Sequence, residues 1–349
     1  MKRTWVPLGF VAVVAGSLAL AGPAGARRGR GPAMAQNAVD LGRVFSAHFV
    51  DRDKGWALAD LVAGEPRINV VKTTDGGNTW QILWTFVREV DLEGIWMTSD
   101  SNGVVSAANR YFRTTNGGRT WGRQRTPYEM SKMSFAGGHG FAIGMPPVKH
   151  GTEGPTLLRT TNGGGNWAAV VDQPATVADY CFSTEERGWI ADGAGLSVTT
   201  DGGGTWTQKK PAEGLTAVAC HGGRYAWGAG GGKVLQTFDG GAHWFEHDLG
   251  TSAQVTHLVF VDGSIGWAYG ERDFRKTVDG GLHWTVLNTP PGPPRFFDGE
   301  SGWALDSNGD IHRTSNGGRS WARQPRSTNA RTDSAVEMGA DGAEAIPEE

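Results

Sequence analysis

One eight-residue block recurs seven times along this chain, and no other feature restricts its fold as tightly. The first copy reads Thr73-Thr74-Asp75-Gly76-Gly77-Asn78-Thr79-Trp80. The other six end at Trp121, Trp167, Trp206, Trp244, Trp284 and Trp321, at steps of 41, 46, 39, 38, 40 and 37 residues. A second block precedes it: Gly55-Trp56-Ala57, Gly140-Phe141-Ala142, Gly188-Trp189-Ile190, Ala226-Trp227-Gly228, Gly266-Trp267-Ala268 and Gly302-Trp303-Ala304, with a degenerate Gly103-Val104-Val105 in repeat two. A third column lies about seven residues earlier still, at Phe49, Phe135, Phe182, Cys220, Phe260 and Phe296. Self-similarity at a fixed period of this size marks a repeat architecture. The 54 Gly and 15 Trp of the 349 residues recur together in these blocks, as a repeated turn with a repeated packing residue requires.

The chemistry of the block explains its composition. An Asp or Asn at the third position (Asp75, Asn116, Asn162, Asp201, Asp239, Asp279, Asn316) can accept a hydrogen bond from the backbone two residues on and close an Asx-turn. The Gly-Gly that follows allows positive φ without steric cost. The hydroxyl two residues before the Asp or Asn adds a local bond. The Trp then folds back over the hairpin, with its indole N–H free to reach a backbone carbonyl. Each repeat divides into four short strands, in repeat five roughly 216–221, 225–230, 234–238 and 243–248, with period-2 alternation in Val218/Cys220 and Val234/Gln236. About 40 residues per four-stranded unit is the spacing of a propeller blade. The sequence therefore predicts an all-β, seven-bladed propeller of four-stranded antiparallel blades over residues 41–324. A disordered acidic tail is expected over 325–349.

These repeats resemble the BNR/Asp-box propellers. They are similar in particular to the photosystem II stability and assembly-factor group, which shares the Gly-Trp-Ala strand and the doubled Gly. The resemblance covers all seven repeats, roughly four-fifths of the chain. It implies that the box turns are architectural and lie on the face opposite the usual binding site. It also implies docking through an arginine-bearing surface. Fold alone does not carry function.

The N-terminus reads as an export signal. Lys2 and Arg3 precede an apolar stretch from Trp5 to Gly22, and small-residue cleavage sites follow at Ala24-Gly25-Ala26 and Ala33-Met34-Ala35. Arg27, Arg28 and Arg30 lie directly behind the apolar stretch, where positive charge hinders translocation. Cleavage after Ala35 and an uncleaved membrane anchor over 1–35 therefore both stay open. Removing those 35 residues, which carry five bases and no acid, takes the formal net charge from −3 to −8. An acidic body argues against nucleic acid as a partner. No later apolar run is long enough to span a membrane. A periplasmic or extracellular location and a monomer are expected.

The seven box acids and amides invite a metal reading, but three are Asn and separate blades hold them apart. A structural turn role fits better, and neither a metal nor a cofactor is expected. A basic column three residues before them (Lys72, Arg113, Arg159, Lys276, Arg313), interrupted by Val198 and Gln236, could bind anions. It lies beside large aromatics, where stem packing and cation–π contact account for it. Sialidase-type glycoside hydrolysis needs an arginine cluster, an acid and a Tyr nucleophile. The five Tyr are Tyr111, Tyr128, Tyr180, Tyr225 and Tyr269. The Phe/Tyr-Arg-Ile-Pro signature is missing, Pro66-Arg67-Ile68 being a partial echo in the wrong order. Xyloglucanase-type relatives pair two propellers where this chain holds one. Asp91, Glu93 and Glu129 lie near inner-strand starts and could form a carboxylate pair, although acids there are ordinary. Trp84, Trp96 and Tyr128 are the aromatics outside the repeat columns that could make a carbohydrate platform. The nine His show no ligand spacing, His243 and His283 falling at a variable box position, and no phosphate loop, dinucleotide fingerprint or zinc pattern is present.

Cys181 and Cys220 are the only thiols. Cys220 stands in the Phe column of blade five and Cys181 one residue before that column in blade four. Strand alternation turns them either toward each other across the blade interface or both away. Export permits a bridge. A sheet spacing of ~10 Å opposes it, and convergence of the blades near the axis favours it.

The box turn joins the third and fourth strands of each blade, so the turn joining the first and second strands emerges on the same face. The opposite face carries the second-to-third connections and the links between blades. The irregular lengths fall there, at 63–67 in blade one and 146–155 in blade three. Insertions on one face of a repeat protein mark its binding face. That face gathers Arg67, Arg88, Arg110, Tyr128, His150, Arg272 and Arg295, and Arg and Tyr are frequent interface anchors. The expectation is a non-enzymatic, assembly-factor-like scaffold that binds a protein or peptide partner there. The alternative is a carbohydrate-active or carbohydrate-binding propeller.

Overall fold

Each sequence repeat becomes one four-stranded antiparallel sheet, and seven such sheets form a ring with no helix among the described residues. The computed structural model describes residues 39–60, 67–87, 92–108, 110–145, 155–170, 177–270, 272–328 and 337–338. In blade five the strands are Ala217–His221, Tyr225–Gly230, Lys233–Thr237 and Phe245–Asp248, within two residues of the expected limits. The first strands of blades one to six lie innermost, each beside the next, and the second strand of blade seven meets the first strand of blade one. The architecture is a seven-bladed all-β propeller.

The box turns are held by their own side chains in all seven blades. The Thr two residues before the Asp or Asn accepts a hydrogen bond from the second Gly N–H at 2.8–3.1 Å. The Asp or Asn Oδ1 accepts the backbone N–H four residues on, at 2.9–3.0 Å. This bond reaches two residues beyond the Asx-turn that the sequence predicts. The two glycines, both at positive φ in every box, lengthen the turn so that the acid spans it whole. The first Gly N–H donates to a carbonyl of the first-to-second-strand turn of the same blade, at 2.7–2.9 Å. Both sets of turns therefore share one face.

The box Trp residues are not equivalent. Trp80, Trp121 and Trp284 donate their indole N–H to the carbonyl of the second box Gly at 3.0–3.1 Å. The indole N–H groups of Trp167, Trp206, Trp244 and Trp321 have no partner. Trp80 and Trp121 are buried, whereas the other five are half-buried. The larger contribution to the core comes from the second strands, where Trp56, Trp189, Trp227 and Trp267 are 0–1% exposed.

Neighbouring blades are joined by a recurring set of contacts. Trp56, Trp227 and Trp267 donate their indole N–H to the first box Gly of the next blade, at Gly117, Gly280 and Gly317. The basic column packs on the same aromatics, and part of it crosses the same interfaces. Lys72 sits 4.3 Å over Trp56, Lys276 5.1 Å over Trp267 and Arg313 5.0 Å over Phe49. Arg113 donates to the Gly163 carbonyl and Lys276 to that of Gly299. These bases are committed to the fold, as stem packing and cation–π contact suggested.

The ring closes between blades seven and one. Val39–Asp40 pairs antiparallel with Ser327–Thr328, Arg313 donates to the Arg52 carbonyl, and Arg52 pairs with Asp298 at 2.5 Å. Phe49, Leu41 and Val44 pack with Trp303 and Ile311 beneath them. Within the tail, Glu337–Met338 runs parallel to the outer strand of blade one.

Candidate functional site

Alternation along the innermost strands sends one set of side chains into the blade interfaces and the other toward the ring axis. The axis is a channel of about 420 Å³ lined by the first strands of six blades. Trp96 comes from blade two, Lys132 and Ser134 from blade three, and Asp179 and Cys181 from blade four. Val218, His257 and Arg295 come from blades five, six and seven. His48 of blade one feels the charge of Arg295.

The polar members of the channel are unevenly partnered. Lys132 Nζ lies 3.6 Å from Asp179 Oδ1 and donates to the Ala178 carbonyl at 3.3 Å. Asp179 Oδ2 accepts the Val218 N–H at 3.0 Å, tying blade four to blade five. Tyr180 donates its hydroxyl to the Phe141 carbonyl at 2.9 Å. His257 Nδ1 lies 3.0 Å from the Thr256 hydroxyl. The Arg295 guanidinium makes no hydrogen bond and no ion pair to a described residue. It is accessible to water, yet lies deep enough for the surrounding protein to lower its pKa.

These surroundings set the charge states. Burial, then the charge of Arg295, lowers His48 to about 4. Burial followed by Arg295 and Lys132 does the same to His257. Both imidazoles are neutral at pH 7. Burial raises Asp179 against the opposing pull of Lys132. Lys132 is the one described non-glycine residue at positive φ, 47°, and stands where the strand register shifts between Ser131 and Ser134. Bulges of this kind re-aim side chains beside functional sites.

The residues singled out from sequence on the loop face are dispersed. Arg67 and Arg110 begin the third strands of blades one and two, both half-buried. Arg272 is exposed in the second-to-third connection of blade six, and Tyr128 is half-buried against the cluster around Met130 and Leu158. Arg88 and His150 lie outside the described residues. Arg295 belongs to the channel. Its channel neighbours His48, Lys132, Asp179 and His257 were missed, although the positions one and three residues before the Phe column carry them. Of the proposed carbohydrate platform, Trp84 is 3% exposed in the core between blades one and two, so it offers no surface to a ligand.

Cys181 and Cys220 form a disulfide across the blade four–five interface. Glu93 and Glu129 stand near enough for their charges to interact. Burial, then the neighbouring Glu129 charge, raises the Glu93 pKa, and Ser106 also donates to Glu93 at 3.4 Å. Asp91 lies outside the described residues. No group of three or more His, Cys, Asp or Glu suited to a metal ion occurs among the described residues.

No family model matches this sequence, and no curated protein matches it. Solved structures do. YCF48 from Cyanidioschyzon merolae is 20% identical with a TM-score of 0.51, covering 68% of this chain and 86% of that one. The likeness is one of fold. YCF48 bound to a D1 peptide is 18% identical at a TM-score of 0.51, covering 67% of this chain and 81% of the other. An ancestral GH74 enzyme is 15% identical at 0.52 and covers 83% of this chain, which spans only 47% of that enzyme.

Proposed function

We propose that this chain is an exported, non-enzymatic propeller that docks a protein or peptide partner through the face opposite its box turns. The observation that carries this reading is the commitment of the box face to the fold. All seven box acids or amides are spent inside their own turns. Three of the five bases of the basic column, Arg113, Lys276 and Arg313, make contacts across blade interfaces, and Lys72 packs over Trp56 of its own blade. The opposite face offers Arg67, Arg110, Arg272 and Tyr128, with Arg295 in the channel beyond, and Arg and Tyr are the side chains that most often anchor interfaces. The peptide-bound YCF48 neighbour leans the same way.

A carbohydrate-active reading ranks second, and Glu93 with Glu129 is the observation in its favour. Retaining glycosidases hold their two carboxyl groups about 5–5.5 Å apart and inverting ones about 6.5–9.5 Å apart. Glu93 stands close enough to feel the Glu129 charge, so this pair is where such a substrate would be sought. The docking reading is tested by reversing charge at Arg110 and Arg272 together. Capture of the native partner from envelope extract is then abolished while the melting temperature is unchanged. Loss of capture only on changing box-face residues such as Asn78 or Arg187 would put the binding face on the other side.

A further inference from the structure

We propose that the axial channel is a binding site for a small monocarboxylate, held by the Arg295 guanidinium with Lys132 as the second positive charge. The proposal is separable from partner docking, which is tested at other residues. Three observations carry it.

The first is that Arg295 has donors and no acceptor. Five N–H groups in a planar fork match a carboxylate in bidentate geometry. The guanidinium faces a channel of about 420 Å³, open to its water, and meets no described hydrogen-bonding partner there. A solvated channel admits a counter-ion to this unpartnered charge.

The second is the charge balance. Lys132 and Arg295 face one acid, Asp179, whose ionisation burial opposes. His48 and His257 are neutral. Glu93 and Glu129 stand at strand starts and are not among the channel-lining residues. The channel therefore keeps a positive charge without a described counter-charge, and one monoanion neutralises it. Low-dielectric walls of one sign concentrate that field.

The third is the bulge at Lys132. A positive φ on a lysine is unfavourable backbone geometry. The irregular register of this strand places the ammonium beside Asp179, in the channel. Neutral His257, already fixed through Nδ1 to Thr256, has its other ring nitrogen left to contact the ligand.

The test is thermal denaturation and titration calorimetry of the full chain with propionate, with propionamide as the uncharged isostere and with inorganic phosphate. Propionate raises the melting temperature saturably, propionamide does not, and phosphate binds more weakly than propionate. Arg295→Gln removes no protein hydrogen bond, so it folds, and weakens propionate about tenfold, the loss expected for a charged hydrogen bond. Lys132→Gln weakens it as well, and Arg272→Gln leaves it unchanged. An equal rise with propionamide, tighter binding of phosphate, or unchanged affinity in the Arg295→Gln protein would overturn the assignment.

Discussion

Cys220 occupies the position that five other blades fill with Phe, and it is bonded there to Cys181 of the preceding blade, with the two Cα atoms 6.0 Å apart. Where the Phe is present it can stack on the second-strand aromatic of the blade before it. Phe260 lies on Trp227 and Phe296 on Trp267, with centroids 3.6 Å apart and rings nearly parallel. Phe182 stacks on Phe141 in the same way. At the blade four–five interface Trp189 has no such partner and meets Trp244 edge-on at 5.5 Å instead. A covalent link stands in for an aromatic stack, at the axis where the sheets converge.

The bridge closes a loop with a sequence separation of 39. A loop of that length constrains the unfolded chain by about 4 kcal/mol in the chain-entropy picture. Replacing both cysteines with Ser lowers the melting temperature markedly, and thiol titration of the denatured, unreduced wild type finds no free thiol. Two titratable thiols, or an unchanged melting temperature in the double variant, would contradict the bridge.

The box Trp residues separate by burial rather than by sequence. Trp80→Ala removes a side chain 1% exposed with a bonded indole N–H, and costs about 3–5 kcal/mol. Trp321→Ala removes a half-buried ring whose N–H has no partner, and costs clearly less. Denaturant midpoints of the two variants measure the gap. Equal shifts would mean that both rings serve the core alike.

Asp201 links the turns to pH. The N–H of Thr205, then the hydroxyls of Thr199 and Thr205, hold its pKa down to about 2 from 3.8. A carboxylate with a depressed folded pKa contributes stability that is present above the unfolded value and lost as pH falls through the folded one. The window is therefore about pH 4 to 2. Blades two, three and seven carry Asn at this position, and Asn116 donates to the Thr120 hydroxyl at 2.8 Å where Asp201 accepts from that of Thr205. Asp201→Asn is accordingly near neutral at pH 7 and flattens the acid side of the stability profile. A large loss at pH 7 would show that the charge itself holds the turn.

The ring was legible in the sequence because its information is local. A turn locked by Thr199, Asp201 and two glycines forms within eight residues, and the same arithmetic repeats seven times. The Asp contact was misplaced by two residues because the paired glycines stretch the turn. The channel was harder to read, since the positions one and three residues before the Phe column repeat while the side chains on them, His48, Lys132, Asp179, His257 and Arg295, change between imidazole, base and acid. The bulge conceals Lys132 further. Met130 and Met133 are both buried, although strict alternation puts residues three apart on opposite faces. The disulfide could not be decided by alternation, because the register allowed both cysteines to face away.

Backbone hydrogen–deuterium exchange with and without the captured partner tests the docking face most directly. The account predicts slowed exchange at the amides around Arg67, Arg110 and Arg272 on binding, with Gly77, Gly203 and Gly318 in the box turns unchanged. Protection confined to the box turns, with the opposite face exchanging as before, would contradict it.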